Sequence, residues 1–477
     1  MVLSDGFLVL PLLIAVLYAS VETVSDVYSR KNYQRKIDVD SNVQQPWRGQ
    51  TTLIFALLAV SLGLGNVLRL PYIIGEQGGG AFLLVYVAVL TLVVSPVLIA
   101  ELTLGSLGRS SPMGSIQWVA SLAGRDTRWR WIGALQAILA LSIASLMMVP
   151  AVLGAEASFY LYRGDWDAAS ANDIIDTLSG IDSADHLRVL GVLVALVIVA
   201  ALPGPQVVLF LAGWVILPLI LLMMYAGLGF AFDVGDIAAA NEWIFKYRPE
   251  QLTEAGILSA ALAALSSLGA GVGVGLVFGS RSPEGLPLVR SVIAVAILDT
   301  AFMLVLAIII VAVTAAVDVE MVQGLALLVV SIPYATANLP TGELFGLVIM
   351  MSILLATVAA LIALIEPMVS ILRREFDVPR LLAMMIVALV LWVSGALMMS
   401  EPLARQTIDK WLVPVLVPFV LGVTALFAVW RVPRPILRGE KYREPFAVFY
   451  VWYVIARWLT PVFCFTLSVL ALLRLVL

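Results

Sequence analysis

Stretches of about twenty apolar residues recur from one end of this chain to the other, separated by short charged loops. A run of that length crosses a hydrocarbon core of roughly 30 Å as a helix. A spanning segment has to satisfy its own backbone, because lipid offers no hydrogen bonds. The chain therefore reads as an all-α polytopic membrane protein rather than a barrel. Its 477 residues are 62% hydrophobic and 13% charged, with a mean hydropathy of +1.04, well beyond what a soluble core of this length needs.

The same residues exclude several functions. Formal net charge is −4, and no basic stripe is present to neutralise a phosphate backbone, so no nucleic acid partner is expected. One cysteine, Cys464, and one histidine, His186, cannot build a disulfide framework or a Cys/His metal centre. Cys464 reads as packing in the last helix, and His186, following Asp182 and Asp185, reads as a solvated loop residue. Without a glycine-rich phosphate loop, a nucleophile elbow or a His-Glu-x-x-His run, an enzyme is not expected.

Residues 6–21 form a short apolar stretch preceded by Asp5 instead of a basic region, which reads as an uncleaved extra helix within 1–21. A polar linker, 22–50, follows. Apolar segments then fall near 52–72, 80–104, 131–158, 189–203, 206–230, 256–280, 290–315, 345–371, 381–399, 411–430 and 447–476, giving eleven core helices. Lys and Arg collect on one side, in 30–48, 109–130, 281–290, 373–380 and 431–443, whereas the loop 161–188 is acidic. Cytoplasmic loops retain positive charge. Segment 22–50 is thus expected in the cytoplasm, with Met1 and Leu477 outside a plasma (bacterial inner) membrane.

Two of the apolar segments are interrupted. The first core helix carries Ser61-Leu62-Gly63-Leu64-Gly65-Asn66, and the sixth carries Ser266-Ser267-Leu268-Gly269-Ala270-Gly271-Val272-Gly273. Paired interruptions five helices apart point to an inverted repeat with its site at the midplane, where half-helix N-termini attract anions and loose carbonyls hold cations. Glycines also serve simple close packing; Asn66 tips the balance, since an amide in mid-membrane needs a partner.

These stretches carry a family resemblance. Trp47-Arg48, Gly63 to Pro71 (GLGNVLRLP) and Glu76 to Phe82 (EQGGGAF) resemble the opening signature of the neurotransmitter:sodium symporters, and Glu101 to Gly105, Ser267 to Ser280, Ala356 to Met368 and Asp409-Lys410-Trp411 are similar to that family's second, sixth, eighth and tenth helices. The resemblance covers about 47–475. It implies a 5+5 inverted-repeat transporter, with 51–230 as the first repeat, 256–430 as the second and 447–477 as an eleventh core helix.

By that resemblance Leu64 and Gly65 offer amides to a substrate carboxylate, and Val60, Gly63, Ser266, Gly269 and Val272 bound the pocket. A sodium ion would be held by Ser61, Asn66, Ser267 and Asp299, oxygen donors of the kind a hard cation prefers. Arg69 and Asp409 match an outer charged gate, and Glu101 a brace on the broken sixth helix. Asp299 replaces the family's usual asparagine inside an apolar run, and an ionisable group there is functional by default: it binds the cation, or it carries a proton.

Several positions depart from the family. A second sodium site is expected to be lost, because Ala359 and Ala360 stand where hydroxyls are usual; Thr357 lies about 200° from Ala359 around the helix. The third core helix lacks its usual tyrosine, and Ser266 replaces an aromatic lid. Glu366, beside Pro367, reads as a snorkelling side chain. The expected function is symport of an amino acid or related small zwitterion with one sodium ion. The alternatives are proton coupling through Asp299 or a non-transporting sensor or scaffold of the same fold. A homodimer stays open.

Overall fold

The computed structural model describes residues 49–62, 64–167, 169–204, 211–283, 285–317, 323–438 and 444–476. The extra helix expected within 1–21, the linker 22–48 with Trp47 and Arg48, and Gly63 lie outside the described residues. The protein is all-α. In chain order the helices are α1 (Gln50–Ser61), α2 (Leu64–Glu76), α3 (Gly80–Gly108), α4 (Pro112–Leu122), α5 (Thr127–Arg163) and α6 (Ala171–Ser179). Then follow α7 (Ser183–Ala201), α8 (Ala212–Val234), α9 (Ile237–Phe245), α10 (Glu254–Leu265), α11 (Val274–Arg281) and α12 (Leu288–Ala315). The last six are α13 (Leu327–Ala337), α14 (Gly342–Glu375), α15 (Arg380–Ser400), α16 (Pro402–Arg431), α17 (Arg434–Arg438) and α18 (Phe446–Leu475). Among the described residues, nine of these are long and apolar enough to cross a membrane, and the protein is a multi-pass membrane protein.

Five helices share one device. Each contains a proline, at Pro96, Pro218, Pro333, Pro418 or Pro461, and the residue before it donates its N–H five residues back: Ser95 to Leu90, Leu217 to Ala212, Ile332 to Leu327, Val417 to Leu412 and Thr460 to Ile455. A proline ring crowds the carbonyl four residues before it and brings no N–H. Widening the preceding turn to a π-turn relieves the crowding without ending the helix. The carbonyl left over needs a donor in lipid. For Pro461 that carbonyl belongs to Arg457, and the Trp430 indole of α16 reaches it at 2.8 Å. The Leu92 carbonyl, four before Pro96, receives a long bond from the Thr460 hydroxyl at 3.4 Å.

At the centre runs α14, with 78% of its most apolar window buried, against 28% for α7 at the lipid edge. Helices α3 and α11 cross closely because each offers a glycine to the other's backbone. A Cβ on Gly105 would strike the Leu276 carbonyl, and one on Gly279 would strike the Leu102 carbonyl. Such reciprocal small-residue crossings draw helices together where lipid gives no hydrophobic drive.

The structure corrects four local expectations. Glu366 does not snorkel: it is 2% exposed, and Arg380 at the start of α15 donates Nη2 to its Oε1 at 2.5 Å. His186 is not a solvated loop residue, because it sits in the first turn of α7 with Nδ1 2.7 Å from Glu156 Oε1 of α5. Asp409 does not open the tenth core helix; α16 begins at Pro402, whose missing N–H suits a first turn. Between the apolar segments expected near 290–315 and 345–371, where no helix is expected, the structure places α13. Gly279→Val tests the α3–α11 crossing. It should destabilise the protein by about 1–3 kcal/mol by overpacking, read as a lower melting temperature in detergent, while the exposed Gly229, with open space around its Cβ position, should accept alanine with little change.

Candidate ion and solute site

The two interruptions meet the buried carboxylate of α12. Helix α1 stops at Ser61, and α10 stops at Leu265; a non-helical stretch, 266–273, precedes α11. Three glycines make that stretch possible. Gly269, Gly271 and Gly273 have φ of 63°, 78° and 74°, a region that disfavours any side chain with a Cβ.

Asp299 lies mid-way along α12 and is 2% exposed. Ser267, 3% exposed, donates its hydroxyl to Asp299 Oδ2 at 2.5 Å. In turn the Tyr86 hydroxyl of α3 donates to Ser267 Oγ at 3.1 Å. Helices α3 and α12 are thus joined through the interrupted stretch by one line of hydroxyls ending on a carboxylate. Ser61 is also buried, bonds its own Leu58 carbonyl at 2.9 Å, and with Leu62 and Asp299 lines a cavity of about 40 Å3 that α8, α12 and α14 complete. That is room for an ion and a few water molecules, each needing at least about 10–15 Å3 by the same measure, and too little for an amino acid.

The other expected residues are placed as follows. Val60 closes on Gly269, where an added Cβ would stand 3.2 Å from Val60 Cγ1. Val272 is 3% exposed. Ser266 is exposed and turns its hydroxyl back to the Leu262 and Ala263 carbonyls. Leu64 and Gly65 belong to the first turn of α2, but their side chains and that of Asn66 lie outside what is described. Arg69 of α2 donates Nη2 to Asp409 Oδ2 of α16 at 2.6 Å, with both side chains partly exposed.

A second buried network holds the break itself. Glu101 of α3 accepts the Gly271 amide at 2.9 Å and the Gln136 side-chain amide at 2.7 Å, both on Oε1. The same Gln136 Nε2 also reaches Thr424 Oγ1 of α16 at 2.8 Å. An added Cβ at Gly275 would lie 2.6 Å from Glu101 Oε2, so the carboxylate packs directly on the start of α11. Sequence reasoning missed Tyr86 and Gln136. Each is a lone polar group in an otherwise aliphatic helical run, a signal that marks a partner without naming it.

Around Ala359 the environment is apolar. Ala359 forms a buried cluster with Ala59 and Ala212, covered by Ile216. Thr357 donates to its own Ile353 carbonyl at 2.8 Å and faces Pro150, Ala151 and Gly154 of α5.

Residues 44–164 match the family model described as Sodium:neurotransmitter symporter family. An uncharacterized sodium-dependent transporter, MJ1319, of Methanocaldococcus jannaschii is 24% identical over 429 residues, 84% of each chain. The uncharacterized sodium-dependent transporter YhdH of Bacillus subtilis is 22% identical over 445 residues, 87% of this chain and 95% of its own. A solved structure of MhsT in complex with L-phenylalanine superposes with a TM-score of 0.79 at 23% identity, over 90% of this chain and 99% of that one, a likeness of fold. The matched family model and the two sodium-dependent relatives are described as transporters, not enzymes.

Gln136→Leu removes the donor shared by Glu101 and Thr424. Loss of a buried hydrogen bond to a carboxylate is worth about 1–3 kcal/mol, so the variant should melt at a lower temperature than wild type. Gln136→Asn, which keeps the amide on a shorter stem, should fall between them.

Proposed function

From the premise that this chain is a divergent member of the sodium:neurotransmitter symporter family, we propose that it is a secondary symporter moving an amino acid or related small zwitterion together with one sodium ion. The observation that carries the reading is the Ser267–Asp299 bond of 2.5 Å, buried where both helix interruptions converge. A carboxylate in the membrane needs a counter-charge. None of the ion pairs among the described residues involves Asp299. An oxygen-rich site with a single formal charge suits a monovalent cation, and no group of three acidic, histidine or cysteine side chains among the described residues favours a divalent one.

In this reading Ser61, Asn66, Ser267 and Asp299 hold sodium, and the ion is cargo. The amides of Leu64 and Gly65 take the solute carboxylate at the start of α2, where the helix dipole favours an anion. Val60, Gly63, Ser266, Gly269 and Val272 surround the rest of the solute. The contact of Val60 with Gly269 then belongs to a closed pocket, and Arg69 with Asp409 forms the outer door. Residues 51–230 and 256–430 act as the two repeats, with segment 22–50 on the cytoplasmic side of the plasma membrane. The fold neighbour was solved with L-phenylalanine, which supports an amino-acid-like solute. The apolar packing of Ala59, Ala212 and Ala359 supports a single sodium, since none of these three side chains carries an oxygen to replace the ion's water.

A second reading makes Asp299 a proton carrier, and the Tyr86–Ser267–Asp299 line of hydroxyls favours it as a specific observation. Uptake of a mixture of labelled amino acids into proteoliposomes separates the two. Asp299→Ala should abolish uptake in either case; unchanged uptake at confirmed abundance would refute both. Asp299→Asn keeps an oxygen donor but cannot exchange a proton. Sodium coupling predicts uptake with a sodium requirement raised roughly tenfold, equivalent to about 1.4 kcal/mol, whereas proton coupling predicts none.

Sodium dependence of wild-type uptake supplies an independent check. One ion per cycle gives a Hill coefficient of about 1, and a value near 2 would contradict the single-site reading.

A further inference from the structure

Four arginines cluster where α16, α17 and α18 meet, and each lies on an aromatic ring. Arg431 stands 5.6 Å from the Trp129 centroid, Arg438 5.0 Å from Phe446, Arg434 4.5 Å from Tyr453 and Arg457 4.6 Å from Trp430. Arg457 also stands 5.6 Å from the Tyr453 ring and donates Nη1 to its hydroxyl at 2.5 Å. Two guanidinium groups therefore share one ring. Such contacts are worth about 0.5–1 kcal/mol each at exposed sites, but they cancel no charge. The ion pairs among the described residues lie elsewhere, and none of these four arginines takes part in one.

The place is built, not incidental. Pro461 deprives the Arg457 carbonyl of its helical donor, Trp430 takes that carbonyl at 2.8 Å, and the π-turn Ile455–Leu459 sets the Arg457 side chain against α16. The Tyr453 hydroxyl donates to the Val429 carbonyl at 2.9 Å and fixes the ring from below. Trp430 and Trp458 are 43% and 58% exposed and pack edge to face at 5.1 Å. Trp430 stands one residue before the end of α16, so the cluster is level with a helix end, where tryptophan and arginine meet the headgroups.

We propose that this arginine–aromatic cluster binds the phosphate headgroup of an anionic phospholipid by Arg434 and Arg457, with its acyl chains along Trp430 and Trp458. Guanidinium groups suit phosphate because their paired N–H donors match its oxygens. The exposed tryptophans select the source: a free phosphate gains nothing from apolar rings, whereas a lipid gains burial of its chains. Basic pockets between spanning helices recognise lipid headgroups in this way. The inference rests only on the protein being embedded in a bilayer and stands whatever the solute or coupling ion.

The test is native mass spectrometry of the full chain released from micelles containing equimolar phosphatidylglycerol and phosphatidylcholine. Wild type should retain phosphatidylglycerol preferentially. Each of Arg434→Gln and Arg457→Gln should cut that preference roughly fivefold, from about 1 kcal/mol per basic residue near the surface, while Arg405→Gln, at the opposite end of α16, should leave it intact. In a parallel melting assay phosphatidylglycerol should raise the melting temperature of wild type, and inorganic phosphate should not. Equal retention of the two lipids by wild type overturns the proposal without reference to any variant. So does an undiminished preference in the folded double variant, or stabilisation by inorganic phosphate that matches the lipid's.

Discussion

In a bilayer every backbone amide and carbonyl must find its partner inside the protein, and the departures from regular helix here are arranged around that requirement. The stretch 266–273 leaves backbone groups without helical partners, and the Gly271 amide is taken by Glu101 across the α3–α11 crossing. The crossing is close enough for this because Gly105 and Gly279 carry no Cβ. Prolines pose the same problem in miniature. The π-turns before Pro96, Pro218, Pro333, Pro418 and Pro461 are its solution.

Buried acids tie the helices to one another. Asp299 receives Ser267, Glu101 receives Gln136, Glu366 receives Arg380, and Glu156 faces His186. In each pair the partner comes from a different segment, so a costly group in the membrane becomes a specific cross-link. Gln136 goes furthest, since one amide nitrogen serves both Glu101 and Thr424 and connects α3, α5 and α16. Helix orientation in lipid gets little from the hydrophobic effect, which raises the weight of these few polar contacts.

Much of this was legible in the sequence, for reasons that are local. Runs of apolar residues mark the spans, the glycine clusters mark the interruptions, and an aspartate at 299 within an aliphatic run marks a site. The pairing of Ser267 with Asp299, 32 residues apart, came from resemblance and not from spacing. What could not be read depends on distant chain segments meeting. Tyr86 is 181 residues from Ser267, and Gln136 is 288 from Thr424; no periodicity encodes either. Glu366 and His186 were misread for the same cause: a helix end suggests solvent until Arg380 or Glu156 is known to be opposite. The proline π-turns were readable in principle, since the clash is local, but that the Arg457 carbonyl finds Trp430 is again a tertiary fact.

The apolar cluster of Ala59, Ala212 and Ala359 has a consequence for coupling on the proposed reading. A ligand shifts a conformational equilibrium only by the difference in its affinity for the two states. With Thr357 turned toward α5 and alanines at 359 and 360, the ion's leverage has to act at Asp299. That carboxylate belongs to α12, its hydroxyl partner Ser267 comes from the break before α11, and Tyr86 of α3 bonds that serine in turn. A cation shared among them binds well only when the three segments are in register. Moving α11 relative to α12 separates Ser267 from Asp299 and lowers affinity at once. On the proposed reading a single site built across the junction of these segments can supply the differential affinity that transport requires, and the Tyr86 hydroxyl, bonded to Ser267, carries that dependence on register into α3.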